Sequence, residues 1–198
     1  MDPMVEASRA KDLQWVIEDT QAWLTQAVIA LGLCPFANAV HVKNQIRYAV
    51  SWSREGQELL DVLEREVQHL DETDPQVTQT TLIMMPFAVP DFLDFHQLLK
   101  EAQKMLKRLK VRDRFQWAHF HPQYQFAGTE PGAAENLSNR SPYPTLHLLR
   151  AESLEQALEM HPDVDSIYTK NIELFRGMGF EGYEALGLKV RVKGGEVS

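Results

Sequence analysis

The sequence has a single cysteine, Cys34, among its 198 residues. One cysteine forms no internal disulfide and cannot supply the paired Cys-x-x-Cys motifs of a zinc finger. A lone thiol is typical of a reducing compartment. The N-terminal segment contains acids and lacks the apolar stretch of a secretory signal. We therefore expect a cytoplasmic protein.

Long apolar runs and a basic excess are also missing. No run approaches the roughly 20 apolar residues that a membrane-spanning helix needs. The 20 Lys and Arg residues are outnumbered by 28 Asp and Glu, for a formal net charge of −8, whereas nucleic-acid binders normally carry a basic excess. No glycine-rich loop of the Walker or dinucleotide type occurs. These absences argue against membrane insertion, nucleic-acid binding, and ATP or NAD dependence through those motifs.

The hydrophobic pattern predicts helices that alternate with strands. Helices are predicted over residues 12–31, 54–70, 91–109, 153–160 and 164–176, and strands over residues 45–52, 80–85, 114–121 and 145–149. Residues 188–192 form either a further edge strand or a loose segment. Gly32, Gly177 and Gly179 are expected to end helices. The pattern indicates a single α/β (α+β) domain over residues 1–198, with its core at about 12–180 and a polar tail over 182–198. Helices would cover a mixed sheet of four to five strands.

One long polar loop, from Pro122 to Pro144, interrupts this regular pattern. Connections longer than about 15 residues are unusual in a compact domain and are often functional. Its polar residues include Tyr124, Thr129, Glu130, Glu135, Asn136, Asn139, Arg140, Ser141 and Tyr143. Arginine offers a planar fork that suits a carboxylate or phosphate. Alternatively, these side chains tie the loop to its own backbone.

Two histidines lie at the end of the third predicted strand. His119 and His121 are two residues apart, so both point to the strand face that also carries Phe115 and Trp117. A His-x-His pair can place two imidazoles on one metal, with His147, Cys34 or Glu135 as further candidate ligands. Alternatively, they are structural histidines beneath the sheet. The His-x-His pattern does not indicate which metal or cofactor would bind.

Cys34 lies directly after a predicted helix end and directly before Pro35. If a helix begins at Pro35, Cys34 caps it, and the helix dipole lowers the thiol pKa. If none begins there, Cys34 faces the negative end of the preceding helix, which raises that pKa. Three roles are open for Cys34. It is a nucleophile, a metal or haem ligand, or a small buried hydrophobic residue.

Three segments of the chain together resemble a known family. They are LGLCPFA, FHPQYQFAGTEP and ENLSNRSPYPTLHLLRAES, and they are similar to the bacterial family catalogued as domain of unknown function number 1415. The resemblance covers about residues 15–180. It implies no activity, cofactor or catalytic residue, so the functional interpretation depends on the residues themselves.

Three functional hypotheses follow from these patterns. In the first, the protein is an enzyme that acts on a small anionic metabolite by hydrolysis or group transfer, with His121 or His147 as acid or base and Cys34 as nucleophile. Its substrate-binding residues would be Arg140, Asn139, Ser141, Asn136, Tyr124, Arg47 and Arg150. The second is a metal- or ligand-binding module built on His119 and His121. The third is a protein-interaction domain with an exposed apolar patch around Phe126 and Tyr143. Nothing in the sequence indicates the oligomeric state.

Overall fold

A computed structural model of the chain describes residues 3–54, 56–159 and 164–192. The helices are α1 (Pro3–Trp23), α2 (Ala37–Val42), α3 (Gly56–Glu72), α4 (Phe92–Arg108), α5 (Ala151–Glu159) and α6 (Val164–Glu184), with a π-helix at Leu24–Ile29 and a 3₁₀ helix at Ala134–Asn139. The strands are β1 (Ile46–Val50), β2 (Thr80–Met84), β3 (Phe115–Phe120) and β4 (Thr145–Arg150). The predicted α/β class and its mixed sheet are confirmed, with four strands. Among the described residues, no helix combines the length and apolar character needed to cross a membrane.

The order of the strands brings the loops that follow β1, β2 and β3 to one edge of the sheet. The strand order is β1-β2-β4-β3, with β1 parallel to β2 and with β4 antiparallel to both β2 and β3. The carboxyl ends of β1, β2 and β3 and the amino end of β4 therefore share one edge, which we call the carboxyl edge. In open α/β sheets, ligands bind in the crevice outside the carboxyl ends of the strands.

The sheet is covered by helices on both faces. Ile83 and Leu146 pack with Leu63 of α3 and Phe95 of α4 on one face. On the other face, α1, the π-helix, α2 and α6 supply the apolar side chains. Every residue of β2 is buried, as expected for a central strand that faces helices on both sides. The predicted alternation along β3 is confirmed, because Phe115 and Trp117 pack on the α4 face whereas Phe120 packs on the opposite one.

Glycine has a different effect in different helices of this fold. Gly32 follows the π-helix with φ 68°, a left-handed conformation that ends the helix as predicted. Gly177 lies inside α6, but the helix is interrupted at Gly179 as predicted: this residue has φ 65° and ψ −176°, so α6 consists of two helical segments joined by a kink. Phe175 before the kink and Tyr183 after it pack into one apolar cluster. This packing holds the second helical segment against the first across the kink.

One further prediction differs from the structure, and the alternative left open for residues 188–192 is decided. The first predicted helix was continuous over residues 12–31, but its last turns form the π-helix Leu24–Ile29. No strand forms over residues 188–192. Instead, the Val192 N–H donates to the Tyr143 hydroxyl at 3.2 Å, so this segment is held by a side chain rather than by a neighbouring strand. The predicted end of the helix before His161 lies outside the described residues.

Candidate functional site

Two open pockets lie side by side at the carboxyl edge. The first, which we call the Arg140 pocket, has a volume of about 430 Å³ and is formed by the start of α4 and by the long loop. Its lining residues are Asp91, Phe92, Leu93, Pro122, Gln123, Gln125, Pro131 and Arg140. The second, the Arg54 pocket, has a volume of about 420 Å³ and extends from Arg54 to Val192. Pro122 and Gln123 line both pockets and thus form the wall between them.

Arg140 carries the positive charge of the first pocket. Its Nη2 donates to the Pro131 carbonyl at 2.8 Å, and its Nε lies 3.5 Å from the Tyr124 carbonyl. The guanidinium also lies over the Phe180 ring, 5.5 Å from its centroid. Burial lowers the pKa of Arg140, but an arginine keeps its charge in a protein. No carboxylate among the described residues forms an ion pair with Arg140, so its charge is not neutralised by the protein.

His121 forms the back of the wall between the pockets. The ring is fully buried, and its Nδ1 accepts from the Gln123 N–H at 3.0 Å. Because Nδ1 accepts, Nε2 carries the proton and donates to the Val89 carbonyl at 3.0 Å. Burial lowers the pKa of this imidazole, which favours the neutral ring. Both ring nitrogens thus form hydrogen bonds with backbone groups.

The backbone that His121 holds is in a rare conformation. Val89 has φ 46°, which is strained for a β-branched residue. The turn from Pro86 to Asp91 contains this residue and contributes to both pockets. Strained backbone persists where the surroundings enforce it, and it concentrates at functional sites. The His121–Val89 hydrogen bond is one such restraint.

His119 lies beneath the sheet on the α4 face, as predicted. Its ring centroid is 5.6 Å from that of His96 and 5.4 Å from that of Tyr124. Burial, with a smaller contribution from His96, lowers the pKa of His119 to about 4, so the ring is neutral at pH 7. The Asn139 side chain hydrogen-bonds the Tyr124 phenol, whose pKa is raised by burial. His119, Tyr124 and Asn139 therefore form a neutral cluster behind the Arg140 pocket.

His147 and Cys34 come together, but on the opposite face of the sheet. Both line an otherwise apolar cavity of about 40 Å³. The Thr80 hydroxyl donates to the Leu148 carbonyl at 2.6 Å, so His147 Nε2–H donates to Thr80 Oγ1 at 2.5 Å. Burial lowers the pKa of His147 to about 4. The cavity has room for about one water molecule, which is too small for a metabolite.

The environment of Cys34 decides between the two predicted directions of its pKa. Helix α2 begins at Ala37, not at Pro35. Burial raises the pKa of the Cys34 thiol, and the nearby backbone of Phe36 and Ala37 lowers it by less. The thiol is therefore protonated beside a neutral imidazole. Such a pair is not the thiolate–imidazolium pair of an activated cysteine nucleophile.

Two of the predicted binding residues tie the loop to itself. Asn136 is fully buried. Its Oδ1 accepts hydrogen bonds from the Phe126 N–H at 3.0 Å and from the Thr129 hydroxyl at 2.9 Å. Its Nδ2 donates to the Glu130 carbonyl at 2.8 Å. The Ser141 hydroxyl donates to the Tyr143 carbonyl at 2.6 Å. These side chains shape the loop and do not line either pocket.

Two other predicted binding residues lie at the far end of the sheet. Arg47, near the start of β1, forms an ion pair with Glu66 at 2.7 Å. Arg150, the last residue of β4, donates to the Leu70 and Thr73 carbonyls at the end of α3, both at 2.7 Å. The structure therefore does not bring Arg47 and Arg150 together with Arg140.

The two aromatic rings of the predicted docking patch are not equivalent. Tyr143 is 2% exposed, and its hydroxyl donates to the buried Asp19 carboxylate at 2.7 Å. Asp19 also accepts from Arg191 Nε at 2.7 Å. Phe126 is half-buried. Tyr143 is thus a core residue that joins α1 to the C-terminal segment.

A family comparison covers most of this structure. The model of the family described as protein of unknown function (DUF1415) matches residues 15–185. The chain belongs to this family. No curated protein and no solved structure matches it. The DUF1415 match includes every residue that lines the Arg140 pocket, whereas Val190 and Val192 of the Arg54 pocket lie beyond it.

The predicted metal ligands of this DUF1415 protein lie in separate places. His121 has both nitrogens engaged, and Cys34 and His147 lie on the other face. Glu135 forms an ion pair with Arg176 at 2.9 Å. Within residues 3–54, 56–159 and 164–192, no group of three or more His, Cys, Asp or Glu side chains is arranged to hold a metal ion.

Sequence reasoning missed several pocket residues, among them Arg54, Asp91, Gln123 and Gln125. The signal that would have found them is proline. Six of the ten prolines in the chain line the two pockets: Pro86, Pro90, Pro122, Pro131, Pro142 and Pro144. Proline fixes φ and stiffens connections, so this clustering around loop segments indicates rigid walls rather than flexible linkers.

Proposed function

We propose that the protein binds a small molecule bearing a carboxylate or phosphate in the Arg140 pocket and acts on it by hydrolysis or group transfer. The observation that carries the proposal is the Arg140 guanidinium, which lines an open pocket of about 430 Å³ without an ion-pair partner among the described residues. A fork of N–H donors that is already partly desolvated binds an anion strongly.

The surrounding groups support an anion at Arg140. Gln123 and Gln125 line the same pocket, and their amides offer neutral donors. The Asp91 carboxylate also lines it, but its Oδ1 accepts from the Leu93 N–H at 2.8 Å and from the Asp94 N–H at 3.3 Å. These bonds offset part of its charge. The positive charge of Arg140 thus favours an anionic ligand in this pocket.

Asp91 supplies the chemistry in this proposal. Both bonds to the start of α4 use Oδ1, which leaves Oδ2 to accept a proton from water or from a hydroxyl group. His121 has a structural role, because its Nε2 already carries a proton and protonation of its Nδ1 would break the hydrogen bond from the Gln123 N–H. A general base fixed in this way contributes about 10²–10⁴-fold to a rate.

The binding half of the proposal is tested with Arg140→Gln and with a matched control, Arg65→Gln, which removes the same charge from an exposed position on α3. Calorimetric titration with inorganic phosphate, phosphate monoesters and small carboxylates should show binding that Arg140→Gln weakens about 10–100-fold, the loss of one charge-assisted hydrogen bond. Arg65→Gln should bind like the wild type. Unchanged affinity in a folded Arg140→Gln variant contradicts the proposal.

The catalytic half is tested with Asp91→Asn, because asparagine caps a helix as well as aspartate does. Turnover of p-nitrophenyl phosphate or p-nitrophenyl hemisuccinate, each of which keeps an anionic group, should fall by about 100-fold or more. Phosphate affinity should stay within about threefold, because the anion bonds to Arg140 are intact. Turnover equal to that of the wild type rules out Asp91 as the base.

A further inference from the structure

The two pockets at the carboxyl edge are compartments of one groove. They share only Pro122 and Gln123. Arg140 lines one compartment and Arg54 lines the other, so the two guanidinium groups lie on opposite sides of the shared wall. Each compartment alone falls within the range of about 300–1,000 Å³ for small-molecule pockets. A ligand of the size that fills one compartment therefore leaves the second cation unused.

Arg54 resembles Arg140 in its surroundings. It is exposed, and its guanidinium lies over the Phe87 ring, 5.5 Å from the centroid. Phe87 in turn stacks on Trp52, with their ring centroids 5.2 Å apart. Among the described residues, which do not include Glu55, no carboxylate forms an ion pair with Arg54. An arginine supported by an aromatic ring keeps its N–H donors directed at other partners.

The Arg54 side of the groove is mostly apolar, whereas Gln123 in the shared wall is polar. Apart from Arg54 and Gln123, the Arg54 compartment is lined by proline, alanine, valine and aromatic side chains. Prolines stiffen the groove on both sides, and His121 fastens the Val89 turn to Gln123 behind the shared wall. A groove that is already ordered loses little conformational entropy when it binds a ligand.

We infer that the groove takes a ligand with two anionic groups joined by an apolar spacer that crosses the Pro122–Gln123 wall. This inference rests on the proposed function for its Arg140 half and adds Arg54 as a specificity-determining residue. Once one anion is bound at Arg140, the second meets Arg54 at the effective concentration set by the spacer. A spacer that is too short or too long loses this advantage.

A homologous series of ligands measures the span. The full chain is titrated calorimetrically with α,ω-dicarboxylates from succinate to dodecanedioate and with monocarboxylates of the same lengths. A parallel series of α,ω-alkanediol bisphosphates and alkyl monophosphates identifies which anion the site prefers. One spacer length should bind best, with an advantage of about tenfold or more over the matching mono-anion.

Two variants assign that advantage to its source. Arg54→Gln should abolish the advantage of the double anion and leave mono-anion binding unchanged, whereas Arg140→Gln should weaken both. Arg65→Gln, on an exposed face of α3, should change neither.

The failures of the two proposals are distinguishable. If double anions of every length bind no tighter than mono-anions, or if Arg54→Gln keeps their full advantage, the two-anion inference is overturned while the Arg140 site stands. If mono-anion binding survives Arg140→Gln, the Arg140 site itself is overturned. If no member of either series binds the wild type, both are overturned.

Discussion

Replacing His147 with glutamine should flatten the pH dependence of stability on the acidic side of neutrality. Burial lowers the pKa of His147 from 6.5 to about 4 in the folded chain. The unfolded chain therefore binds a proton near pH 6.5 that the folded chain does not accept until about pH 4. Between those values the free energy of unfolding falls as the pH falls, and the contribution of the neutral ring is complete above pH 6.5. His119 has the same shift for a similar reason.

The size of the effect follows from the two pKa values. For a single imidazole that shifts from 6.5 to about 4, the linkage relation gives a loss of about 2 kcal/mol between pH 7 and pH 5. The wild type should lose this amount at His147 and a similar amount at His119. In His147→Gln the first contribution is absent, and the glutamine amide can still donate to Thr80 Oγ1. The variant should therefore lose about 2 kcal/mol less than the wild type over this range.

Urea-induced unfolding at pH 7 and at pH 5, followed by far-ultraviolet circular dichroism, measures this difference. The control is His69→Gln, which removes an exposed ring from α3 and should follow the wild-type curve. The comparison depends on the change with pH and not on the stability of each variant at one pH. If the wild type and His147→Gln lose the same free energy within about 0.5 kcal/mol, the pKa of His147 is not depressed by burial and the reasoning is refuted.

Two further predictions concern the core on the α1 face. Tyr143→Phe should lower the free energy of unfolding by about 2–3 kcal/mol in urea titration, because it leaves the buried Asp19 carboxylate and the Val192 N–H each without one partner. Tyr168→Phe, at a residue 51% exposed, is the matched control, and equal stability of the two variants would contradict the role of the hydroxyl. The Cys34 side chain is half-buried, and desolvation raises the pKa of its thiol, so it should react with an aromatic disulfide reagent about 100-fold more slowly in the native state than in urea; equal rates would show an accessible thiolate.

Local patterns predicted the secondary structure where neighbouring residues decide it. The alternation from Phe115 to His121 placed both histidines on one face, because the side chains of a strand alternate regardless of what the strand packs against. Gly32 ended its helix because its φ is positive. Gly179 interrupts α6 in the same way, but the short helical segment beyond it was not predicted, because it is held by the packing of Phe175 and Tyr183 in the cluster that contains Trp23 and Leu24. That packing depends on contacts far along the chain, which a local pattern does not contain.

The candidate site was predictable only in part, for a similar reason. Arg140 and the long loop were identified because polar density and proline are local signals. The separation of His147 from His121 was not predictable, because it depends on the neighbours that each strand acquires in the sheet. Arg54 and Asp91 come from other connections and reach the pockets only because three strands end at one edge.

The position of β4 between β2 and β3 has a consequence for the order in which the chain is made. Within the part of the chain that the structure describes, β3 pairs only with β4, and one side of the buried strand β2 is paired only by β4. About 60 residues separate the end of β2 from the start of β4, which at ribosomal rates of about 5–20 residues per second is roughly 3–12 s. During this interval the open edge of β2 is a template for pairing with another chain. The last of these four strands to be synthesised is thus the one that joins β3 to β2, and a nascent chain halted before Thr145 lacks the strand with which β3 pairs.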